Sequence, residues 1–433
     1  MRAKPPKEID AVVDGVGADG FGTGTLDERQ IRIKNALPGE VVRARVLKRR
    51  SGEWLAEANL IESASSLRVQ PACEYFPRCG GCVMQHMDYP EQLRLKQQQL
   101  LDALEQNEVV PGRVVAPTEG PRYHYRTKAR LGVRLVGDQV LVGFRESFSN
   151  RVARIRTCLI LVPSLAELIA PLQTLISGLS CPGRIPQVEV AAGDGSSALI
   201  LRHLEPLTEQ DLALIRQFSD RYHVGCYGQS GGYDTVTPLS GCRPYLGYAN
   251  EDFGVHYLFR PTDFTQVNLD MNRKLVQAAI AGLSAPDGAT VLDLFCGIGN
   301  FSLPLARLGY RVRGLEAAAD AIGRARTNAA HNRLEGRCEF AVQDLYDAAC
   351  PDLGDARYML LDPPRSGAGP NLVGWVRSGG TERIGYVSCS PASFAADARV
   401  LAGEGFELEQ VGIFDMFPHT AHVETLGVFS KRW

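Results

Sequence analysis

The sequence predicts a multidomain α/β protein of three units: a small N-terminal β-barrel of the OB kind over residues 1–65, a central α/β domain over 66–260, and a C-terminal Rossmann-like domain over 261–433. Three observations carry that expectation. Short glycine-punctuated strands crowd residues 8–62. Regular strand–helix alternation begins near residue 261. A length of 433 residues suits two to four domains, and the 45% apolar content contains no 18-residue apolar run that could span a membrane.

In the first unit Ile9, Ala11 and Val13 alternate in the strand manner. Ile31–Ile33, Val41–Leu47 and a strand around Trp54–Ala56 follow, with glycines at 15, 17, 20, 22 and 24 as turns. Barrels of this kind bind single-stranded nucleic acid along a basic groove. The N-terminus, Met1 to Pro6, lacks the apolar core of a secretory signal, so a cytoplasmic protein is expected. Eleven cysteines in a reducing compartment argue against a disulfide framework.

Three of those cysteines form Cys73-x5-Cys79-x2-Cys82, with Cys158 much later. Four thiolates can hold zinc or a four-iron cluster, and spacing alone leans to zinc. The Cys-x3-Cys-x2-Cys spacing of radical adenosylmethionine enzymes is absent. Cys181, Cys226, Cys242, Cys296, Cys338 and Cys350 are most simply core or incidental. Residues 90–106 place leucines among Gln and Glu, an amphipathic helix, and this helix near 90–120 is expected to pack on the C-terminal domain despite its early position. Residues 121–260 read as strand-rich. Within them Arg122, Tyr123, Tyr125, Arg126, Lys128 and Arg130 interleave basic and aromatic side chains, which suits contact with unstacked RNA bases; a core role for one of the tyrosines is equally expected.

From residue 261 on, strands read at 289–295, 310–315, 337–343, 357–361, 384–388, 406–413 and 423–430, with helices over 317–331 and 391–402 between them. The pattern is a largely parallel doubly wound sheet, ending in an antiparallel hairpin at its edge. The run Val291 to Asn300 is an apolar strand leading into Gly297-Ile298-Gly299 and a helix. Such a turn brings backbone N–H groups close to a ligand. Glu316 ends the second strand, where an acid can take ribose hydroxyls, and Asp344 ends the third, where one can accept from an adenine amino group. Asp293, Glu316 and Asp344 on successive strands, without the full Gly-x-Gly-x-x-Gly of a dinucleotide site, favour S-adenosylmethionine.

Two further groups suit transfer of a methyl to a pyrimidine carbon. Cys389 ends the strand Ile384–Ser388 just before Pro391 opens a helix, whose N-terminus is expected to lower the thiol pKa. Its thiolate can attack C6 of uracil. Glu424 precedes the last strand and can remove the C5 proton. Asp362-Pro363-Pro364-Arg365 makes a stiff loop at the same sheet edge, where Asp362 can orient a base edge and Arg365 can meet a phosphate or carbonyl.

Phe264-Thr265-Gln266-Val267-Asn268, Asp293 through Asn300, Asp362 through Arg365, Ser388-Cys389 and His422-Val423-Glu424 together resemble the RNA uracil-C5 methyltransferase family. The resemblance implies an S-adenosylmethionine-dependent enzyme with Cys389 as nucleophile and Glu424 as base. Gln266, Phe295, Gly297, Asn300, Glu316, Asp344 and Asp362 would surround the cofactor, Asp362 against cofactor or uracil. Ser390 departs from the family's usual Asn after the cysteine. Residues 8–62 are similar to the TRAM barrel of the family's 23S ribosomal RNA branch. Cys73, Cys79, Cys82 and Cys158 match that branch's ligands of a [4Fe-4S] cluster, whose role in polar methyl transfer would be structural. The partner implied is 23S ribosomal RNA, with another RNA uridine or a non-catalytic zinc-bound RNA module as alternatives, and the chain a monomer.

Charge agrees with a polyanion partner. The net charge is −2, yet residues 1–50 carry 11 Lys/Arg against 7 Asp/Glu, residues 121–160 carry 9 against 2, and residues 261–433 carry 16 against 20. Basic charge therefore lies outside the C-terminal unit.

Overall fold

The computed structural model describes residues 8–26, 28–50, 52–347, 353, 357–378 and 380–432. The N-terminal strands are β1 (Glu8–Val12), β2 (Gly15–Val16), β3 (Gly22–Leu26), β4 (Arg29–Lys34), β5 (Val41–Arg50) and β6 (Glu53–Ser63). They form one sheet in the order β1-β5-β6-β4-β3-β2. Ile9, Ile31, Ile33, Val42, Ala44 and Ala56 fill its interior. The glycines read as turns belong partly to β2 and β3, where neighbouring backbone comes so close that a Cβ on Gly22 or Gly24 would meet Ala36 O or Val12 O at 2.9 and 2.6 Å. Buried Glu40 accepts two bonds from Arg68 (2.6 and 2.7 Å) and so ties the barrel to the segment that follows.

That segment continues into helix α1 (Tyr89–Gln106) and the two-residue strand β7 (Arg113–Val114). The central sheet has β8 (Lys128–Val136), β9 (Gln139–Gly143), β10 (Gln187–Gly193), β11 (Ser196–Arg202), β12 (Val224–Gln229) and β13 (Val236–Ser240), in the order β13-β12-β11-β10-β8-β9. Helices α2 (Pro163–Ala166), α3 (Ile169–Ser177) and α4 (Glu209–Tyr222) join these strands. Leu172, Ile176, Ile215 and Phe218 of α3 and α4 cover one face, against Leu131, Val188, Leu199 and Cys226. The hairpin β14 (Leu246–Asn250) and β15 (Val255–Phe259) leads out of this unit, and its stacked Tyr248 and Tyr257 share a core with the C-terminal domain.

The C-terminal domain alternates α5 (Leu269–Leu283), β16 (Thr290–Leu294), α6 (Ser302–Arg307), β17 (Arg311–Glu316), α7 (Ala319–His331), β18 (Cys338–Val342), β19 (Tyr358–Leu361), α8 (Leu372–Ser378), β20 (Arg383–Ser388), α9 (Pro391–Gly403), β21 (Phe406–Phe414) and β22 (Glu424–Lys431). Its sheet runs β18-β17-β16-β19-β20-β22-β21-β7, parallel from β18 to β20. Strand order reverses between β16 and β19, the crevice where open α/β sheets take ligands.

The sequence reading put the antiparallel hairpin at the sheet edge. In the structure β22 lies inside, and β7, nearly 300 residues upstream of β21, pairs parallel with it. Leu100, Ala103 and Leu104 of α1 join Leu401, Phe406 and Leu408 in one core. A segment from the N-terminal half thus completes the C-terminal sheet. Among the described residues no helix is long and apolar enough to cross a membrane.

Candidate active site

The loop after β16 is held open by its own backbone. Phe295 takes φ 63°, a left-handed conformation that costs a non-glycine residue about 1–3 kcal/mol, and Gly297 and Gly299 follow at 53° and 91°. The Phe295 ring is fixed in that strained state against Tyr346 and Trp375 (5.9 and 6.2 Å between centroids). A Cβ on Gly297 would meet nothing within 4 Å, so the loop faces open space. Asn300 and Asn272 exchange side-chain bonds of 2.8 and 3.0 Å, and Asn268 caps α5. Gln266 is half-buried just before that cap. Asp293 is fully buried; Ser302 donates to its Oδ2, and its Oδ1 has no partner among the described residues. Burial pushes its carboxyl up to about 7. Asp293 therefore braces the loop from beneath, while Glu316, half-buried, and Asp344, exposed, end the two neighbouring strands. Asp362 follows β19 on the other side of the crevice, and burial, then the charge of Glu316, raises it to about 7.

Strand register brings the two reactive candidates together. Ser388 pairs with Thr425 across β20 and β22. Cys389 leaves β20 one residue later and Glu424 opens β22, and the two lie close enough for the Glu424 charge to bear on the thiol. Ser390 caps α9 through Ser393 N (3.4 Å), with Pro391 in the first turn. The expectation of a lowered thiol pKa does not hold. Burial, then the charges of Glu424 and Asp362, pushes Cys389 up, and the hydrogen-bonded Arg365 guanidinium is the opposing influence. Glu424 is only 3% exposed, and burial, then Asp362, holds it well above the ordinary carboxyl range. Arg365 also reaches His422 Nδ1 (3.1 Å).

The pH dependence follows in sign. Ionised Cys389 and ionised Glu424 both appear at higher pH than for free side chains, so kcat/KM is expected to rise with pH and to go on rising beyond the pH at which a free thiol would already be ionised. Arg365→Ala removes the positive charge that favours the thiolate. Its rising limb should move to higher pH and its rate at neutral pH fall on the order of tenfold. A pH–rate profile superimposable on wild type would remove Arg365 from this role.

The segment 415–420, just before Glu424, is gripped from three sides. From α1, buried Lys96 donates to Asp415 (2.6 Å) and to the Phe417 carbonyl (3.0 Å), Tyr89 to Asp415 (2.8 Å), and Gln92 Oε1 accepts from His419 N (3.2 Å). From the strand before β8, Tyr125 donates to the Pro418 carbonyl (3.1 Å) and Tyr123 stacks on His419. From the cysteine-rich loop, Val83 N and Met84 N donate to the His419 carbonyl (2.9 and 3.0 Å). The amphipathic pattern of α1 gives no reason to bury Gln92 and Lys96. The only sequence signal pointing the other way was Asp415, a lone acid in the apolar run 411–417.

Cys73, Cys79, Cys82 and Cys158 line one mainly apolar cavity with Phe76, Phe144 and Ile155. Burial pushes Cys79 up to about 12 and raises Cys82 and Cys158, with neighbouring thiols of the set adding to the rise. Among the described residues no His/Cys/Asp/Glu group is drawn tightly enough together to hold a single metal ion. Cys226 and Cys296 are buried, Cys242 and Cys338 half-buried, and Cys181 exposed; Cys350 lies outside the described residues. The basic stretch leading into β8 is partly spent internally. Tyr125 is core, Lys128 donates to the Asp263 carbonyl, and Arg130 pairs with Glu189 (3.0 Å).

Comparison with known proteins adds the following. A family model described as tRNA (uracil-5-)-methyltransferase matches residues 88–338 and 352–433. A 23S rRNA (uracil(1939)-C(5))-methyltransferase of Hahella chejuensis is 42% identical, covering 99% of both chains. One of Bordetella avium is 41% identical over 97% of this chain and 90% of its own. The crystal structure of a tRNA (uracil-54, C5)-methyltransferase from Pyrococcus abyssi, in complex with S-adenosyl-L-homocysteine, superposes with a TM-score of 0.76 at 23% identity, over 97% of this chain and 100% of that one. That likeness is one of fold.

Proposed function

The chain belongs to the tRNA (uracil-5-)-methyltransferase family and is an enzyme, and from that premise we propose that it methylates C5 of a uracil in 23S ribosomal RNA, uracil 1939 in the numbering carried by its relatives' names. The observation that supports this reading most is that β20 and β22 pair up to Ser388 and Thr425, so that Cys389 and Glu424 follow on neighbouring strands at one end of the sheet. Cys389 adds as thiolate to C6, which makes C5 nucleophilic. S-adenosylmethionine supplies, when bound, the electrophilic methyl group. Glu424 then takes the C5 proton, and expulsion of the Cys389 thiolate restores the aromatic ring. A carboxyl raised by burial suits that step, because a base works best with a pKa near the operating pH. Asp362 and Arg365 polarise the ring's polar edge. The open Gly297 loop, Phe295, Asn300, Gln266, Glu316 and Asp344 fit a nucleoside with a sulfonium side chain, the acids receiving its hydroxyl and amino donors.

The four cysteines line one cavity, and the resemblance in their spacing makes a [4Fe-4S] cluster the group they are proposed to hold. The hydrogen bonds from Val83 and Met84 to His419 make its role the ordering of the loop before Glu424. The barrel, read as a TRAM domain, supplies an RNA-binding surface, and a monomer in the cytoplasm is the form proposed. Anaerobically purified protein should carry about four irons per chain and lose them in Cys82→Ser. Stoichiometric zinc in their place would overturn the cluster.

The test of function is 23S ribosomal RNA substituted with 5-fluorouridine, incubated with the enzyme and S-adenosylmethionine. Fluorine cannot leave as a proton, so a denaturation-resistant protein–RNA complex should accumulate and map to one uridine. Methyl transfer to unsubstituted RNA without any trapped complex would refute C6 addition.

A further inference from the structure

The free edge of the central sheet and the segment entering the C-terminal domain enclose a second cleft, remote in sequence from the Cys389 and Glu424 strands. Its volume is about 360 Å³, and its walls include Tyr227, Tyr233, Pro238, Arg243, Arg260 and Pro261. Clefts of some 300–1,000 Å³ at domain boundaries are where small ligands and ligand fragments bind.

The walls are built rather than incidental. Arg130, Glu189, Ile200, Tyr227 and Pro238 stand in lateral register across five strands, so their side chains share the sheet face that α3 and α4 leave uncovered. Tyr233 lies over this row, accepting from Arg130 (2.7 Å) and hydrogen-bonding Glu189 (3.1 Å). At the rim, Tyr227 donates to the Arg243 carbonyl (2.9 Å) and the Cys242 thiol to the Cys226 carbonyl (2.9 Å). The backbone beneath Arg243 is therefore pinned while its guanidinium stands exposed.

The charges are also uneven. Arg130 and Arg324 nearby are each neutralised, by Glu189 and Asp263 at 3.0 Å. Among the described residues no carboxylate pairs with Arg243 or Arg260; Arg260 instead meets the hydroxyl of Tyr245. Two uncompensated guanidiniums beside two tyrosine faces and a proline floor match one ligand chemistry, an aromatic base with its phosphate. An acidic peptide would use the cations and leave the aromatic walls idle. Two residues beyond Thr262, which also lines the cleft, Phe264 stands 77% exposed at the entry to the proposed cofactor site.

We propose that this cleft binds an unpaired nucleotide of the substrate RNA flanking the target uridine, its base against Tyr227 and Tyr233 and its phosphate on Arg243 and Arg260. The inference rests on the reading that the substrate is RNA. The site raises affinity and sets register without touching the reacting atoms.

The experiment is filter binding of a 23S ribosomal RNA fragment containing the trapped uridine, across a salt series, for wild type, Arg243→Ala and Arg243→Lys. Arg243→Ala should raise Kd about five- to tenfold and lower the slope of log K against log salt by about one, while saturating RNA still gives the full 5-fluorouridine complex. Arg243→Lys should recover the slope but only part of the affinity. Wild-type Kd and slope in Arg243→Ala overturn the proposal. So does binding of free uridine or adenosine monophosphate that depends on Arg243 while RNA affinity does not, which would make the cleft a mononucleotide site. A wild type that binds the fragment but never forms the trapped complex would defeat the catalytic reading and leave the cleft to stand or fall on Kd.

Discussion

Replacing Glu424 by glutamine is expected to stop the enzyme halfway through its cycle. Cys389 still adds to the ring and the methyl is still accepted, but the C5 proton has no acceptor. A covalent complex with normal, unfluorinated RNA should then accumulate, and turnover should fall about 10²- to 10⁴-fold, the usual worth of a positioned base. Cys389→Ala should differ in kind: no complex with either RNA, and turnover lower by at least about four orders of magnitude. The contrast does not come from unfolding. Glu424 is buried beside Asp362 and held above its ordinary pKa, so a neutral isostere relieves the site and stability should hold or rise. Gel analysis of the denatured reaction, with labelled methyl counted in the shifted band, reads both variants. Turnover of Glu424→Gln within tenfold of wild type would assign the proton to another group.

Lys96→Met should cost about 3–5 kcal/mol of stability. Lys96 is 1% exposed and Asp415 0% at their side chains, 2.6 Å apart. Removing the cation leaves a buried carboxylate whose one remaining side-chain partner among the described residues is the Tyr89 hydroxyl. A double variant with Asp415→Leu should recover most of the loss, since a buried pair replaced together by apolar groups is close to neutral. Activity should not recover with it, because Lys96 also holds the Phe417 carbonyl in the segment leading to Glu424. Urea unfolding of the four-member cycle measures the coupling. A single-variant loss below about 1 kcal/mol would mean that water reaches the pair.

Thr290–Leu294 and Arg383–Ser388 were legible as short apolar runs buried on both faces, and Arg311–Glu316, which carries three charged residues, from its place in the strand–helix alternation. All three fall within about a residue of their expected bounds. Helices Ala319–His331 and Pro391–Gly403 were equally plain. The reactive candidates were legible as motifs, but their nearness was not, since it depends on the pairing of β20 with a strand nearly forty residues later. Glu424 by itself looks like a surface residue; only register and burial make it otherwise. The roles of Gln92 and Lys96 stayed hidden for the same reason. A periodicity argument sees polar residues on a helix and assigns them to water, whereas their partners lie more than 300 residues away. The thiol pKa was misjudged because the helix N-terminus is local and visible, while the opposing carboxylates of Glu424 and Asp362 come from other strands.

The parallel pairing of Arg113–Val114 with Gln410–Val411 has a consequence for how the molecule is made. A ribosome releases α1 and β7 first and the surface that receives them almost last, so for most of synthesis the front of the chain waits for its tail. The two ends are buckled together only on completion. A nascent chain halted before β21 presents α1 with an uncovered leucine face, which makes unfinished product readily distinguishable from finished enzyme by anything that recognises exposed apolar helix.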